Sequence, residues 1–277
     1  MAPRQDPASK TQERELSDPD SLRLKSIFAF ASAILLRPEP FETIVPKWEL
    51  RYTQPFVCKG APYIVRTISC DPLIQHLENF ISPAERKWLL SKSKNLSQPS
   101  EVRRKIGEWI TSPHKTSTTA YFPKDDPVAR CISERAAQFQ GYESIDDVDR
   151  LQVTSYVSTQ EVKAHYDWYG ALEKVEPHDC KTTFFGILDA DCEDCGTNFP
   201  KIKMTWARQD RKWCRLVDCD SSSLTVLPTP GSAVFWRNLH TNGSGYVRTL
   251  HAGMPWSRGE KVGLNIWTKQ RFDVGLS

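Results

Sequence analysis

Histidine is scarce in this chain, six in 277 residues, and several larger features are missing altogether. The ten-residue apolar run Ile27 to Leu36 falls short of the roughly 20 residues that cross a bilayer as a helix. It excludes a simple transmembrane span and leaves membrane association open only through residues 26–37. The net charge of +3 is spread along the chain and builds no basic stripe, which argues against a nucleic-acid partner. No internal repeat is present, which sets aside repeat architectures. What remains suits a soluble protein with a sizeable core: 39% hydrophobic and 26% charged residues.

Residues 1–25 carry five basic and five acidic side chains without an apolar period, and are expected to form a disordered tail. Residues 26–60 read as an apolar segment and an extended lead-in. Ile27 to Leu36 has the length of a packed helix or of a signal core, and Ala31-Ser32-Ala33 resembles a cleavage site. Eight cysteines, with acceptor triplets at Asn95 and Asn242, lean toward the endoplasmic reticulum or secretory pathway, the cytoplasm being the alternative. The folded domain is expected over 61–277.

Within that domain, "PYIVRTISC" (62–70) reads as a strand. Ser82-Pro83-Ala84-Glu85 is a capping box with proline at the first helical position, opening a helix to about Asn95. Asp126-Pro127 opens a second helix with Val128, Cys131, Ile132, Ala136 and Phe139 on its apolar stripe, ended by Gly141. After residue 150 the texture becomes strand-like, in "LQVTSYV" (151–157), "TTFFGIL" (182–188), "SAVFW" (232–236) and "KVGLNIW" (261–267). Helices followed by strands suggest helices buttressing a β-core. In the last strand Val262, Leu264 and Ile266 share one face. Lys261, Gly263, Asn265 and Trp267 share the other, a lining suited to a polar pocket, with Gly263 leaving room for a ligand.

The stretch "AHYDWYG" (164–170) puts His165 and Asp167 two residues apart, on one face of a strand, with Tyr166 turned away. Chance alone gives about 0.4 such pairs in this composition, so the pair needs a third ligand. His251 supplies it. Two histidines and one carboxylate form the facial triad of non-haem iron(II) oxygenases, which leaves three coordination positions open. A 2-oxo acid fills two of them and dioxygen the third.

The ordered set "KTSTTAYF" (115–122), "DRLQVTSYVSTQEVKAHYDW" (149–168), "CGTNFP" (195–200), "PGSAVFWRNL" (230–239) and "RTLHAGMP" (248–255) with "GEKVGLNIW" (259–267) resembles the prolyl 4-hydroxylase family of iron(II)- and 2-oxoglutarate-dependent dioxygenases. The likeness to its plant and fungal single-domain members covers roughly residues 65–270. It implies a mainly β fold, a double-stranded β-helix or jelly roll with supporting helices. It also implies His165, Asp167 and His251 as iron ligands and Lys261 as the partner of the far 2-oxoglutarate carboxylate. Tyr156 and Thr197 are implied as further cosubstrate contacts and Trp267 as a pocket-lining aromatic. The cofactor set would be Fe(II), 2-oxoglutarate, O2 and ascorbate, which would rescue oxidised iron. The reaction would be hydroxylation of an unactivated C–H bond, first of all on a peptidyl proline.

The chain departs from the family pattern at Lys115, Val162, Lys181 and Lys269. Arginine to lysine is not conservative where a fork-shaped contact is made. These departures keep open a small molecule or modified peptide as substrate. Cys192, Cys195, Cys214 and Cys219 approximate a four-thiolate zinc spacing, and equally allow disulfides or free thiols. A zinc module would favour a cysteine-stabilised binding protein without catalysis. "KWC…DC" (212–219) resembles a cysteine-containing insertion of fungal members, where Cys214 and Cys219 could bridge a hairpin.

Overall fold

The computed structural model describes residues 56–60, 62–99, 101–105, 108–111, 117–157, 162–169, 178–206, 210–255 and 258–271. The polar tail, the apolar run at 27–36 and Lys115 lie outside them. The described chain begins with β1 (Ile64–Cys70), β2 (Leu73–Glu78), α1 (Pro83–Leu96), β3 (Gln98–Pro99), β4 (Glu101–Lys105), β5 (Glu108–Thr111), β6 (Thr118–Tyr121) and α2 (Pro127–Phe139). It continues through β7 (Gln152–Val157), β8 (Val162–His165), β9 (His178–Ala190), β10 (Thr197–Lys203), β11 (Ser223–Val226), β12 (Ala233–Arg237), β13 (His251–Gly253) and β14 (Glu260–Arg271). No described helix is long and apolar enough to cross a membrane.

The expected helix signals operate as chemistry. Glu85 N donates to Ser82 Oγ at 3.3 Å and Ser82 N to Glu85 Oε2 at 2.8 Å, so α1 opens with these two amides satisfied. Asp126 Oδ1 accepts from the backbone of Val128 and Ala129 at the start of α2. Gly141, at φ +89°, lets the chain leave that helix through a left-handed turn.

Eight strands form one sheet in the order β1-β2-β12-β9-β14-β7-β6-β3, and four form a second in the order β11-β10-β13-β8. β4 and β5 make a separate hairpin. The alternation of side chains along β12 shows what each face does. Ala233 and Phe235 join a core with α1 and α2, including Leu89, Ile132 and Ala136. Val234 and Trp236 point the other way and pack with Phe199, Ile202, Leu224 and Val226 of the smaller sheet. Helices therefore cover one face of the large sheet and the small sheet covers part of the other, the expected jelly roll.

On β14 the division is the one read from the sequence. Leu264 and Ile266 lie in the helix-side core with Val262 against it, and Lys261, Gly263, Asn265 and Trp267 take the opposite parity. Residues 56–60, which precede β1, are also tied to this unit. Phe56 packs near Trp88, with ring centroids 6.5 Å apart, and Cys58 is disulfide-bonded to Cys131 of α2.

Candidate metal centre

β8 and β13 are neighbours in the small sheet, in a register that sets His165 directly opposite His251. His165 Nδ1 lies 2.9 Å from Lys163 O, and His251 Nδ1 lies 3.0 Å from Thr249 O. A carbonyl oxygen only accepts, so each Nδ1 carries the proton and each Nε2 presents a lone pair. Burial lowers the His251 pKa against the opposing pull of Asp167, which favours the neutral, ligating ring.

Asp167, two residues past His165, completes the group. His165 Nε2 is 3.5 Å from Asp167 Oδ1 and His251 Nε2 is 3.7 Å from Asp167 Oδ2. The donor atoms of all three lie within 4.8 Å of one another. Three donors on one octahedral face with bonds of about 2.1 Å are about 3 Å apart, so small side-chain movements would close this set on a metal ion. Burial raises the Asp167 pKa, but His251 and His165 in their charged forms, together with the Thr183 hydroxyl, outweigh it and hold the carboxyl below the usual carboxylate range; the hydroxyl keeps that role when the rings are neutral. The donor set is thus two neutral imidazoles and one carboxylate, which fits iron(II). The Asp167 and His251 side chains are 8% exposed and that of His165 is 42% exposed, so the centre opens on the His165 side.

The flanking aromatics hold the turn that carries Asp167. Tyr166 points away, accepting from Lys201 Nζ at 2.8 Å and donating to Val247 O at 3.1 Å. Trp168 lies so close over Gly245 that a Cβ there would meet the ring at 2.3 Å. A glycine at 245 is therefore part of what places the ligand strand.

Lys261 is 2% exposed, and its Nζ donates to Cys195 O at 2.6 Å and sits 5.9 Å over the Tyr156 ring. Burial lowers its pKa to about 8. Tyr156 is directly opposite Lys261 on β7, and burial raises its phenol to about 12, so it stays protonated as a donor. Thr197, buried at the start of β10, follows Cys195 by two residues and pairs with Gly253, two beyond His251. Trp267 pairs with Thr183 across β14 and β9, and its buried indole N–H has no hydrogen-bond partner among the described residues.

Gly263 has a different role from the one its position suggests. A Cβ there would stand 2.5 Å from the Phe185 ring, so the glycine makes room for Phe185 rather than for a ligand. Phe185 and the Cys195 carbonyl are pocket features that residue types alone did not mark. A backbone acceptor leaves no trace in composition, and Phe185 sat in a run that reads as core.

The departures from the family pattern have local partners. Lys181 Nζ is 2.5 Å from Glu143 Oε1, and Lys269 Nζ is 3.0 Å from Asp149 Oδ2. Val162 packs against the small cluster of Tyr156 and Cys195. Cys192 bonds to Cys195 and Cys214 to Cys219, so the four-thiolate zinc arrangement does not form.

No family model matches the chain. Individual relatives do. Prolyl 4-hydroxylase subunit alpha-2 of Caenorhabditis elegans is 25% identical over 236 residues, 82% of this chain and 41% of that protein. Prolyl 4-hydroxylase 5 of Arabidopsis thaliana is 26% identical over 213 residues, 73% of this chain and 70% of that protein. This chain therefore spans less than half of the worm subunit and over two thirds of the plant protein. The crystal structure of a viral collagen prolyl hydroxylase from Paramecium Bursaria Chlorella virus-1, a 2OG complex, superposes with TM-score 0.51 at 21% identity, over 77% of this chain and 99% of that one. In sequence and in fold, then, the chain is similar to the prolyl 4-hydroxylases.

Proposed function

We propose that the protein is an Fe(II)- and 2-oxoglutarate-dependent dioxygenase that hydroxylates an unactivated C–H bond, most specifically of a peptidyl proline. One observation carries this reading: His165, Asp167 and His251 converge with both imidazoles locked to present Nε2. The similarity to prolyl 4-hydroxylases and to a prolyl hydroxylase solved with 2OG supports it.

His165, Asp167 and His251 would hold the iron on one face. Iron with 2-oxoglutarate and O2 supplies the oxidation of C–H to C–OH, with succinate and CO2 as coproducts. Lys261 would neutralise the far carboxylate of 2-oxoglutarate, and the protonated Tyr156 phenol beside it would donate a hydrogen bond. Thr197 would border the cosubstrate. Trp267, opposite Thr183, would line the space where the substrate carbon is placed. Phe185, seated on Gly263, gives this pocket an apolar wall that helps exclude water.

Ascorbate would keep the iron reduced between turnovers. Three disulfides favour an oxidising compartment, such as the endoplasmic reticulum. A second substrate class, a small molecule or modified peptide, is favoured by one observation. Lys181 and Lys269 are each engaged by an acid of the protein itself, which leaves neither as a ready fork for a peptide.

The test is 2-oxoglutarate decarboxylation by the iron-loaded protein with and without a proline-rich peptide. Peptide-stimulated succinate release and a hydroxyproline product are expected. Decarboxylation that no such peptide stimulates would move the substrate to the second class. Absence of the weak visible charge-transfer band with iron and 2-oxoglutarate would remove the dioxygenase reading itself.

A further inference from the structure

Behind the Asp167 carboxylate lies a buried hydrogen-bond chain that the ligand set does not account for. Thr183 Oγ1 is 2.7 Å from Asp167 Oδ2, Asn238 Nδ2 is 2.8 Å from Thr183 Oγ1, and Trp236 Nε1 is 2.8 Å from Asn238 Oδ1. Asn238 and Thr183 are at most 1% exposed, and so is Trp236. Water therefore has little part in setting their orientations.

The direction of every bond follows from one end. An indole N–H can only donate, so the atom of Asn238 facing Trp236 must be its carbonyl oxygen. That assignment turns the Asn238 amide toward Thr183 and Cys180, where its second hydrogen meets Cys180 Sγ at 3.3 Å. The Thr183 oxygen then accepts from Asn238, and its single proton goes to Asp167 Oδ2. Each polar atom along the path is satisfied, and no alternative orientation satisfies them all.

We propose that Trp236, Asn238 and Thr183 are positioning residues, a one-way relay that grips Asp167 Oδ2, itself 3.7 Å from His251 Nε2, so that the carboxylate meets the metal in one orientation and through one oxygen. The proposal rests on the metal-centre reading above. Its physical content is directional. A hydroxyl whose proton is committed to one oxygen discourages the carboxylate from rotating or from chelating through both oxygens. One coordination position is thereby kept for the cosubstrate or O2. The relay also links the two halves of the site: Thr183 is on β9 of the large sheet, whereas Asp167 follows β8 of the small one.

The experiment titrates Co2+ into the metal-free full chain under anaerobic conditions, following the visible d–d bands, for the parent, Thr183→Val, Thr183→Ser, Asn238→Ala and the double substitution Thr183→Val with Asn238→Ala. Valine has the shape of threonine without the hydroxyl; serine keeps the hydroxyl. Removing an outer partner of a metal ligand typically lowers affinity by about 10–100-fold, and that loss is expected for Thr183→Val with altered band positions. Thr183→Ser should stay within about threefold of the parent. Asn238→Ala should resemble Thr183→Val, and the double substitution should be no weaker than Thr183→Val alone, because both cut one chain. If Asn238→Ala does not fold, the Val and Ser pair decides the matter by itself. Parent-like affinity and spectrum in Thr183→Val, or equal losses in Val and Ser, would overturn the relay while leaving the metal centre standing. A parent chain that binds no Co2+ would overturn the metal centre and the relay with it.

Discussion

His165 and His251 face each other across the antiparallel pairing of β8 and β13, with ring centroids 4.3 Å apart. Strand register, not loop conformation, therefore brings together two residues separated by 85 intervening positions. A one-residue slip would turn one ring to the opposite face of the sheet. The metal centre is as well defined as the small sheet that carries it.

Replacing either histidine by alanine leaves two donors for a labile hard cation. His165→Ala and His251→Ala should each lose stoichiometric iron and all 2-oxoglutarate turnover; His165→Ala should stay folded because its side chain is 42% exposed, whereas His251→Ala also gives up packing against Trp236 and Phe199. Metal analysis after desalting checks this. A variant that kept full iron and full activity would require another ligand set.

Gly263→Ala tests how tightly Phe185 limits the pocket. The added Cβ would lie 2.5 Å from the Phe185 ring, so the ring must shift or β14 must move. Overpacking of this kind costs roughly 1–3 kcal/mol. We expect a lower melting temperature together with weaker 2-oxoglutarate binding, since β14 also carries Lys261. Unchanged values of both would show that Phe185 yields freely.

Glu85 joins two devices that the sequence showed only as one. It closes the capping box of α1, and its carboxylate also receives both terminal nitrogens of Arg135, at 2.6 and 3.1 Å. The two side chains are 2% and 7% exposed. Removing one partner of a buried pair typically costs about 3–5 kcal/mol, because the other charge remains buried. Arg135→Ala should lose stability on that scale in urea titration, with metal affinity nearly unchanged in whatever fraction stays folded. A loss below about 1 kcal/mol would show that the pair is more hydrated than its burial implies.

Much of this architecture was legible because single residues carried the signal. Ser82-Pro83 and Asp126-Pro127 announced both helices, and parity along 261–267 divided core from pocket. His165, Asp167 and His251 converge as the motif spacing implies. The rest depended on contacts with no local signature. Thr183 and Asn238 look like ordinary strand polar residues until Trp236 fixes their orientation. Cys58 and Cys131 pair across 73 positions, which no spacing rule could connect. Gly263 reads in the sequence as space for a ligand, because its diagonal contact with the Phe185 ring of β9 has no local signature.

The Cys192–Cys195 disulfide lies beside the Lys261 end of the pocket, proposed above to take the cosubstrate, since Cys195 O accepts from Lys261 Nζ. Cys195 is 1% exposed and packs with Tyr156. Opening the bridge frees a four-residue turn whose Asp194 sits at φ +59°, and should let the Cys195 carbonyl drift from the lysine. The paired substitution Cys192→Ser and Cys195→Ser should raise the apparent KM for 2-oxoglutarate several-fold while leaving Co2+ affinity within about threefold. Cys214→Ser with Cys219→Ser is the control and should leave that KM alone. Equal effects in both pairs would point to general loosening rather than to the carbonyl.

Lys261 gives the most direct test of the cosubstrate pocket, because charge and pH address the same atom. A 2-oxoglutarate dianion entering this largely dry space needs its far carboxylate neutralised. Lys261→Ala would leave that carboxylate buried without its partner, a cost of roughly 3–5 kcal/mol. At about 1.4 kcal/mol per tenfold, affinity should fall by roughly 10²–10³-fold, with metal binding nearly unaffected. Burial lowers the free-protein pKa of Lys261 to about 8. Below that pH the ammonium is ready for the anion; above it, binding must take up a proton. Affinity should therefore hold steady at lower pH and decline by about tenfold per unit as pH rises past about 8, until the higher pKa of the complex is reached. Lys261→Arg keeps its charge throughout this range, so it should bind more weakly than the parent but with a flat profile. Anaerobic titration of 2-oxoglutarate into the Fe(II)-loaded proteins between about pH 6.5 and 9.5 measures both effects. Unchanged affinity in Lys261→Ala, or the same alkaline decline in Lys261→Arg, would assign the carboxylate to another cation and require a different map of this end of the pocket.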